Sequence, residues 1–440
     1  MLNGNAFVGD AGIEFRAQEE IRGLQEELLR RHLAYLAEHS PFYRRRFAEA
    51  GVDPAAGASL DDLHRLPFTD KTDLADHNEE FLCVPPEAIV DLCLTSGTTG
   101  QPVAMHQTRA DLARLAYNEE ISFRSAGITA ADRVLIAAAI DRCFMAGLAY
   151  FFGLAQIGAT VIRGGSSSVA MLEELGMRYR PTALVGVPTL LLILADRLRT
   201  RGVDPRELGA RRLVCIGEPV RAADLSLSAL GRRLREAWGA EVFGTYASTE
   251  MATSFADCEA GRGGHVHPEL MIVEIVDAAG CPLPPGSPGE VVATPLQVTG
   301  MPLLRFKTGD IATVHSEPCP CGRHSRRLGP VLGRKAQMLK VRGATVYPPA
   351  IQGVLQELSE VRGHYIEVFD DFELSDRIRV VVGLDSSALD AEEIAERLAA
   401  RIRVKPEVVV VTPEEVTRHT LREDKRKPTT FFDYRTKPSG

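Results

Sequence analysis

The first amphipathic segment lies close to the N-terminus. Over residues 19–36, apolar residues recur at helical spacing, at Ile21, Leu24, Leu28 and Tyr35. An apolar stripe with this period is typical of a helix that packs one face against a core. The pattern therefore predicts an amphipathic helix at the start of the fold.

The middle of the chain alternates short apolar strands with helical stretches, from Ala88 to about Val314. This alternation indicates βαβ units and a largely parallel sheet. The predicted strands lie at 134–138, 160–162, 183–187, 212–216 and 241–243. After Gly280 the strands are punctuated by Pro and Gly, which predicts a smaller antiparallel β element over 289–294 and 308–314.

The last hundred residues follow a β-α-β-β-α-β order, which is typical of a ferredoxin-like α+β domain. The predicted strands are 338–341, 365–369, 378–382 and 407–411, and the predicted helices are 349–358 and 391–402. We therefore predict an α/β protein of two domains. Residues 1–333 form a large αβ domain with mostly parallel sheets, and residues 334–440 form the small domain beyond a hinge at Gly333 and Arg334.

Composition and charge narrow the function classes. Hydrophobic residues make up 45% of the 440 and charged residues 25%, which is ordinary for a soluble globular protein. A net charge of −8 and only 6% aromatic residues argue against a nucleic-acid-binding face. Eight cysteines in so long a chain do not form a disulfide framework, and no secretory signal pattern is visible. We expect a cytoplasmic protein.

One uncharged run, Cys143 to Ile162, is long enough to cross a bilayer. Gly147, Gly153 and Gly158 interrupt it, and its last residues read as a β-strand. Buried elements of α/β proteins produce such runs. We therefore predict a buried helix, a glycine turn and a core strand, and no membrane partner.

A loop rich in hydroxyl residues and glycine follows Leu94. Its glycines allow close approach to an anion, and its hydroxyl and N–H groups can cradle phosphate. It lacks the Gly-Lys-Ser/Thr of a Walker loop, and a loop of this kind is by itself often only a turn. The loop consists of Thr95, Ser96, Gly97, Thr98, Thr99 and Gly100.

Three further segments accompany this loop, at 246–250 (Tyr-Ala-Ser-Thr-Glu), 306–310 (Phe-Lys-Thr-Gly-Asp) and 332–343. In this order and at these separations, the four resemble the adenylate-forming acyl-CoA synthetase superfamily, most closely its phenylacetate-CoA ligase branch. Shorter segments that share the resemblance lie at 40–47, 59–63, 66–74 and 319–323. The resemblance implies a large AMP- and acyl-binding domain and a mobile C-terminal domain that closes over the active site.

The resemblance also implies a chemistry. A carboxylate would attack the α-phosphorus of ATP to give acyl-AMP and pyrophosphate, and the acyl group would then pass to a thiol. Thr249 would donate to the α-phosphate, and Glu250 would bind Mg²⁺, which prefers carboxylate and phosphate oxygens. The loop at 95–100 would hold the leaving phosphates. The nucleotide would be bound by Gly217, Glu218, Pro219, Tyr246, Ala247, Asp310 and Arg334, with Asp310 accepting both ribose hydroxyls.

Two further sites follow from the same resemblance. Lys427, a few residues before Asp433-Tyr-Arg435, would enter the adenylation site, with Lys425 as the alternative. The aryl pocket would be lined by Asp141, Phe144, Met145 and Ala146. Asp141 could meet an amino or hydroxyl substituent, or it could simply cap the following helix.

The chain departs from the family pattern at three positions. Gln101 stands where the phosphate loop usually carries Lys, and Arg426 stands where a small Gly precedes the tail lysine. Ala336 stands where a hinge Asp is expected. The hinge departure puts the thioester-forming half-reaction in doubt, not the adenylation.

Cys258, His265, Cys319 and Cys321 are a candidate zinc site, because three thiolates and an imidazole are a usual structural ligand set. The single residue between Cys319 and Cys321 makes the spacing alone a weak signal. Several members of the branch carry the same four positions. His267 is the alternative imidazole.

These observations predict an ATP-dependent ligase for an aromatic carboxylic acid, with coenzyme A as the acceptor thiol. Transfer to a carrier-protein phosphopantetheine is a close alternative. A nucleotidyl transferase that adenylylates a phenol, and a degenerate nucleotide-binding protein without catalysis, are the alternatives from other classes. Thr249, Glu250, Asp310 and a tail lysine speak against the degenerate protein. No sequence feature encodes the oligomeric state, and the resemblance admits a homodimer.

Overall fold

The computed structural model describes residues 7–54, 59–95, 102–341, 344–370, 375–385, 389–421 and 428–435. The chain divides into two compact units, Met1–Val331 and Leu332–Gly440. The helices of the first unit are α1 (Gln18–His39), α2 (Pro41–Ala50), α3 (Lys71–Asp76), α4 (Arg109–Ser125), α5 (Met145–Ile157), α6 (Val169–Tyr179), α7 (Pro188–Thr200) and α8 (Ala229–Trp238).

The strands of the first unit lie mainly between these helices and after α8. They are β1 (Ile89–Leu94), β2 (Ala104–Thr108), β3 (Arg133–Ala137), β4 (Thr160–Arg163), β5 (Ala183–Gly186), β6 (Arg212–Cys215), β7 (Glu241–Ser248), β8 (Thr253–Ala256), β9 (Gly264–His265), β10 (Met271–Val276), β11 (Gly289–Pro295), β12 (Phe306–Ala312), β13 (Val314–His315) and β14 (Arg327–Leu328).

Within the described residues, a six-stranded sheet in the order β4-β3-β5-β6-β7-β8 forms the centre of the first unit. The strands from β4 to β7 are parallel, and β8 runs antiparallel to β7. Helices α4 and α5 pack on one face, and α6, α7 and α8 pack on the other. The prediction of a largely parallel sheet is confirmed. Such sheets bind ligands beyond the carboxyl ends of their strands.

The uncharged run at 143–162 folds as predicted. It forms α5, then a left-handed turn at Gly158 with φ 88°, and then β4. Gly147 is required where α5 approaches a neighbouring loop, because a Cβ there would lie 2.2 Å from the backbone oxygen of Ala139. Among the described residues, no helix combines the length and the apolar character needed to cross a membrane. The predicted N-terminal amphipathic helix is α1, with Ile21 and Leu28 buried.

The antiparallel β element is present but begins earlier than Gly280. Strands β10, β11 and β12 pair in that order, and β9, β14 and β13 form a second small sheet. The Pro- and Gly-rich segments predicted as strands correspond to β11 and β12. Strand β10 was missed because its apolar run, Met271–Val276, lies before the change in pattern.

The second unit contains strands β15 (Gly333–Arg334), β16 (Leu339–Val341), β17 (Ala344–Val346), β18 (Val361–Asp370), β19 (Asp376–Leu384), β20 (Glu407–Val411) and β21 (Phe431–Asp433). Its helices are α9 (Pro348–Gln356), α10 (Ala391–Ile402) and α11 (Pro413–Thr420).

The main sheet of the second unit has the order β20-β19-β18-β21, with β18 and β19 antiparallel. The predicted first strand, 338–341, does not join this sheet. It forms a separate hairpin of β16 and β17, in which Leu339 pairs with Val346. The fold class, α/β with mixed sheets and a small α+β C-terminal unit, is confirmed.

Candidate active site

The hairpin of β7 and β8 carries four of the predicted site residues. Tyr246 pairs with Phe255 across the hairpin, and the two rings lie 6.4 Å apart and nearly parallel. The turn between the strands is closed by the N–H of Ala252, which donates to the carbonyl oxygen of Thr249 at 3.2 Å. The hairpin therefore places Tyr246, Ala247, Thr249 and Glu250 at the carboxyl end of a parallel strand.

The structure brings two of the predicted nucleotide residues together. The hydroxyl of Tyr246 donates to Oδ2 of Asp310 at 3.1 Å, although 64 residues separate them. The backbone N–H of Asp310 donates to Oγ1 of Thr308 at 3.1 Å, which fixes the backbone at Asp310. Burial, and next the charge of Asp310, raise the pKa of Tyr246 well above its ordinary value. The phenol therefore stays protonated and acts as the donor of the pair.

Glu250 lies beside a cation that the sequence did not single out. Its side chain is buried, and its Oε1 lies 3.6 Å from Nζ of Lys71. Lys71 is the first residue of α3, and the capping box formed by Asp70 and Asp73 fixes where that helix begins. The only sequence signal for Lys71 was its place in the segment at 66–74, to which we assigned no function.

The predicted pocket wall at Gly217, Glu218 and Pro219 follows the carboxyl end of β6. Gly217 has φ 72°, a conformation that favours glycine. The carboxylate of Glu218 accepts from the N–H of Thr189 at 3.1 Å and from its hydroxyl at 3.0 Å. These hydrogen bonds fix Glu218 to the start of α7. Because α7 follows β5, the wall extends across the ends of the neighbouring strands β5 and β6.

The predicted aryl-pocket residues lie at the start of α5. Phe144 is the N-cap residue of that helix, and Met145 is buried in its first turn. Asp141 is exposed and lies 3.6 Å from the guanidinium of Arg142. The interpretation of Asp141 as the helix cap is wrong, because the cap position is three residues further on. Its role toward a substrate substituent remains a prediction.

Several predicted residues are not brought into this site by the described part of the chain. Ser96, Gly97, Thr98, Thr99, Gly100 and Gln101 lie outside the described residues, as do Lys425, Arg426 and Lys427. Thr95 is described, and its Oγ1 accepts the N–H of Val103 at 2.9 Å. Arg334 lies in β15 and Ala336 in a short turn of the second unit. The roles of all these residues remain predictions.

The four predicted zinc ligands converge. The ligand atoms of Cys258, His265, Cys319 and Cys321 all lie within 4.8 Å of one another. Sγ of Cys258 is 3.6 Å from Sγ of Cys319, and Sγ of Cys321 is 3.3 Å from Nε2 of His265. Tetrahedral ligands at a Zn–S distance of about 2.3 Å lie about 3.8 Å apart. The donor set and its spacing therefore fit a closed structural Zn²⁺ site.

We call Cys258, His265, Cys319 and Cys321 the metal cluster, and neighbouring residues orient its imidazole ligand. Nδ1 of His265 contacts the hydroxyl of Ser325 at 3.0 Å, which orients the ring. Burial lowers the pKa of His265 to about 4, so Nε2 is available to a metal at neutral pH. The alternative imidazole, His267, is not in the cluster. Its two ring nitrogens contact Glu14 at 2.7 Å and Ser122 at 3.0 Å.

Comparison with known proteins gives consistent matches over both units. The family model described as AMP-binding enzyme matches residues 29–300, and that described as AMP-binding enzyme C-terminal domain matches residues 343–435. The phenylacetate-coenzyme A ligase of Thermus thermophilus is 37% identical over 358 residues, covering 80% of this chain and 79% of the relative. That of Aromatoleum evansii is 29% identical over 430 residues, covering 94% and 95%.

A solved structure of 2-hydroxyisobutyryl-CoA ligase, in the postadenylation state with an acyl-AMP, aligns with a TM-score of 0.83. It is 26% identical, and the alignment covers 96% of this chain and 91% of that chain. The same ligase in the thioesterification state, with 2-HIB-AMP and CoA, aligns with a TM-score of 0.70 at 28% identity, covering 96% and 92%.

Proposed function

This chain belongs to the AMP-binding enzyme family, and we propose that it is an AMP-forming ligase that activates an aromatic carboxylic acid and transfers it to coenzyme A. The relatives named phenylacetate-coenzyme A ligase support the aromatic acid, and they cover most of both chains. The match of residues 343–435 to the AMP-binding enzyme C-terminal domain supports a two-step reaction.

The contact between Tyr246 and Asp310 carries the proposal. An aromatic ring beside a carboxylate suits an adenosine, whose base stacks on the ring and whose ribose hydroxyls donate to the carboxylate. The contact lies beyond the carboxyl ends of parallel strands, where open α/β sheets bind nucleotides. Gly217 and Glu218 follow the end of the neighbouring strand β6, where they would form a wall of the nucleotide site. Their position supports the same assignment.

In the first half-reaction, the substrate carboxylate attacks the α-phosphorus of ATP and pyrophosphate leaves. Extra negative charge develops on the phosphorus, so hydrogen-bond donors and cations are needed around it. Thr249, in the turn after β7, donates to the α-phosphate, and the tail residue Lys427 neutralises the attacking carboxylate. Glu250 would hold Mg²⁺, which would supply positive charge to the phosphates.

In the second half-reaction, the coenzyme A thiol attacks the carbonyl carbon of acyl-AMP. The bond between that carbon and the phosphate oxygen breaks, and AMP leaves. Asp310 keeps the adenosine in place through both steps, and Arg334 assists it at the ribose. The small unit, residues 334–440, moves between the two half-reactions about the hinge that contains Ala336. Phe144, Met145 and Ala146 form the apolar side of the acyl pocket, and Asp141 lies at its rim.

ATP–pyrophosphate exchange with a panel of aryl acids tests the proposal. Exchange that depends on an aryl acid, followed by AMP release that depends on added coenzyme A, is the expected result. Release of AMP only with a phosphopantetheinylated carrier protein would replace coenzyme A as the acceptor. Absence of exchange with every acid, together with AMP labelling of a phenol, would contradict the ligase.

A further inference from the structure

Asp257 occupies a central place between the metal cluster and the nucleotide site. It directly precedes the ligand Cys258, and its side chain is buried, with 2% of the residue exposed. Its Oδ2 accepts the N–H of Gly244 at 2.7 Å and Nε of Arg221 at 2.5 Å. The N–H of Gly263 also donates to this carboxylate.

The three donors belong to three different segments. Gly244 lies in β7, two residues before Tyr246. Arg221 follows the pocket wall at 217–219, and Gly263 precedes β9, which contains the ligand His265. One buried carboxylate therefore joins two walls of the nucleotide pocket to the metal-binding loop.

The backbone around Asp257 leaves little room for independent movement. Its N–H donates to the carbonyl oxygen of Gly244 at 2.9 Å, and it also forms a β-bridge with Gly264. A Cβ on Gly264 would lie 2.7 Å from the carbonyl oxygen of Phe255, the residue that pairs with Tyr246. Close-packed segments of this kind transmit small displacements to one another.

Arg221 has its donors committed to the protein. Besides Nε on Asp257, its Nη1 donates to the carbonyl oxygen of Leu225 at 3.0 Å and its Nη2 to that of Val242 at 3.3 Å. Only 10% of its side chain is exposed. The Arg221–Asp257 pair therefore holds backbone segments in place and does not serve as a binding surface for a ligand.

We propose that Asp257 is a positioning residue through which the metal cluster and the nucleotide pocket are energetically coupled. Zinc bound by Cys258, His265, Cys319 and Cys321 holds the loop that carries Asp257, and Asp257 holds β7 in the position that presents Tyr246 to adenine. Coupling of two binding equilibria is reciprocal, so bound nucleotide strengthens zinc binding by the factor by which zinc strengthens nucleotide binding. The inference rests on the proposed function for its nucleotide.

The test measures the zinc affinity of the full-length, zinc-loaded protein by equilibrium competition with a coloured chelator, with and without saturating AMP. AMP is the probe because ATP itself binds divalent metal. We expect AMP to tighten zinc binding by about fivefold or more, the lower end of typical couplings. Calorimetry on zinc-loaded and metal-free protein should show AMP affinity falling by the same factor when zinc is removed. Asp257→Asn should bring both ratios close to one.

Two variants keep the test informative. Arg221→Lys retains a cation but loses the geometry that bridges Asp257 to the backbone, so it should also reduce the coupling. It serves as the test if Asp257→Asn does not fold. Glu14→Gln changes a different buried carboxylate, which contacts His267 and Arg323 and not Arg221, and should leave the coupling intact. In steady state, Arg221→Lys should raise KM for ATP with kcat unchanged.

Equal zinc affinity with and without AMP in the wild-type protein would overturn the coupling, provided that calorimetry shows AMP bound. Equal coupling in the wild type and Asp257→Asn would overturn the role of Asp257. Failure of AMP to bind the zinc-loaded wild type would instead contradict the proposed function.

Discussion

The ammonium group of Lys71 lies 3.6 Å from a carboxylate oxygen of Glu250, although the two residues are far apart in the sequence. This relationship matters because Gln101 stands where the family resemblance leads us to expect a Lys in the phosphate loop. A cation is thus present beside the predicted magnesium ligand, supplied by helix α3. The side chain of Lys71 is 38% exposed, so its ammonium group is accessible to solvent and to a ligand.

Lys71→Ala should lower kcat/KM for ATP by about tenfold, which corresponds to about 1.4 kcal/mol, because a positive charge next to the phosphates is lost. Lys71→Arg should retain most of the activity. The measurement is acid-dependent ATP–pyrophosphate exchange at varied ATP. Thr72→Ala, on the exposed side of the same helix, is the matched control, and an equal loss there would assign the effect to the helix and not to the charge.

Lys427→Ala should abolish most adenylate formation and largely spare thioester formation from pre-formed acyl-AMP. The lysine is needed while charge develops between carboxylate and phosphate, and it has no role once the adenylate exists. The two half-reactions are measured separately, by pyrophosphate exchange and by coenzyme A-dependent AMP release. Lys425→Ala tests the alternative lysine and should leave both half-reactions largely intact. Equal losses in both half-reactions would contradict the assigned role.

Freshly purified protein should contain about one zinc per chain, and Cys319→Ser should lose it together with thermal stability. Binding to preformed ligands stabilises the folded state, and removal of one of four thiolate and imidazole ligands weakens that binding. Metal analysis and thermal unfolding are the measurements. Cys281→Ser, an exposed cysteine outside the cluster, should change neither, and zinc-free wild-type protein that was never exposed to a chelator would rule the site out.

Acyl-adenylate should accumulate on the enzyme before thioester appears. A hinge Asp can form hydrogen bonds that differ between two domain arrangements and so bias them, whereas Ala336 cannot. Rapid quenching with ATP and the acid should show a burst of acyl-adenylate followed by slower thioester formation. Ala336→Asp should shorten the slow phase. A linear time course without a burst would show that adenylation, or an earlier step, limits turnover.

Glu119→Gln should make the stability of the protein less sensitive to a rise in pH from about 4.5 to about 8. Glu119 is buried on α4, and burial raises its pKa to about 8, so the folded state retains a proton that the unfolded chain releases near pH 4.5. A buried acid of this kind lowers the free energy of unfolding by about 1.4 kcal/mol for each pH unit as pH rises from about 4.5 to about 8. The amide carries no proton to lose, so the stability difference between the two proteins should grow over that interval.

Urea unfolding of the wild type and Glu119→Gln at pH 5 and pH 8 measures this difference. Glu120→Gln, on the neighbouring residue that pairs with Arg124, is the control and should show a much smaller change with pH. A difference in unfolding free energy that is the same at both pH values would show that Glu119 is ionised in the folded protein.

The sequence by itself predicted many of the elements and much of the site's composition. Helices and strands depend on the local spacing of apolar residues, so α1, α5 with its glycine turn, and the parallel strands from β3 to β7 could be predicted from short windows. Tyr246, Thr249, Glu250 and Asp310 could be named because their neighbours in the chain form motifs. The zinc ligands could be listed, but His265 and His267 could not be separated.

Only the tertiary structure decided which distant side chains meet. Lys71 meets Glu250, and Asp257 meets both Arg221 and Gly244, because helix and strand packing brings segments into contact that are far apart in the chain. Spacing in the sequence carries no record of such contacts. The same reason explains why residues 338–341 pair in a hairpin outside the main sheet: strand propensity is local, whereas the choice of partner depends on which edge the folded core leaves available.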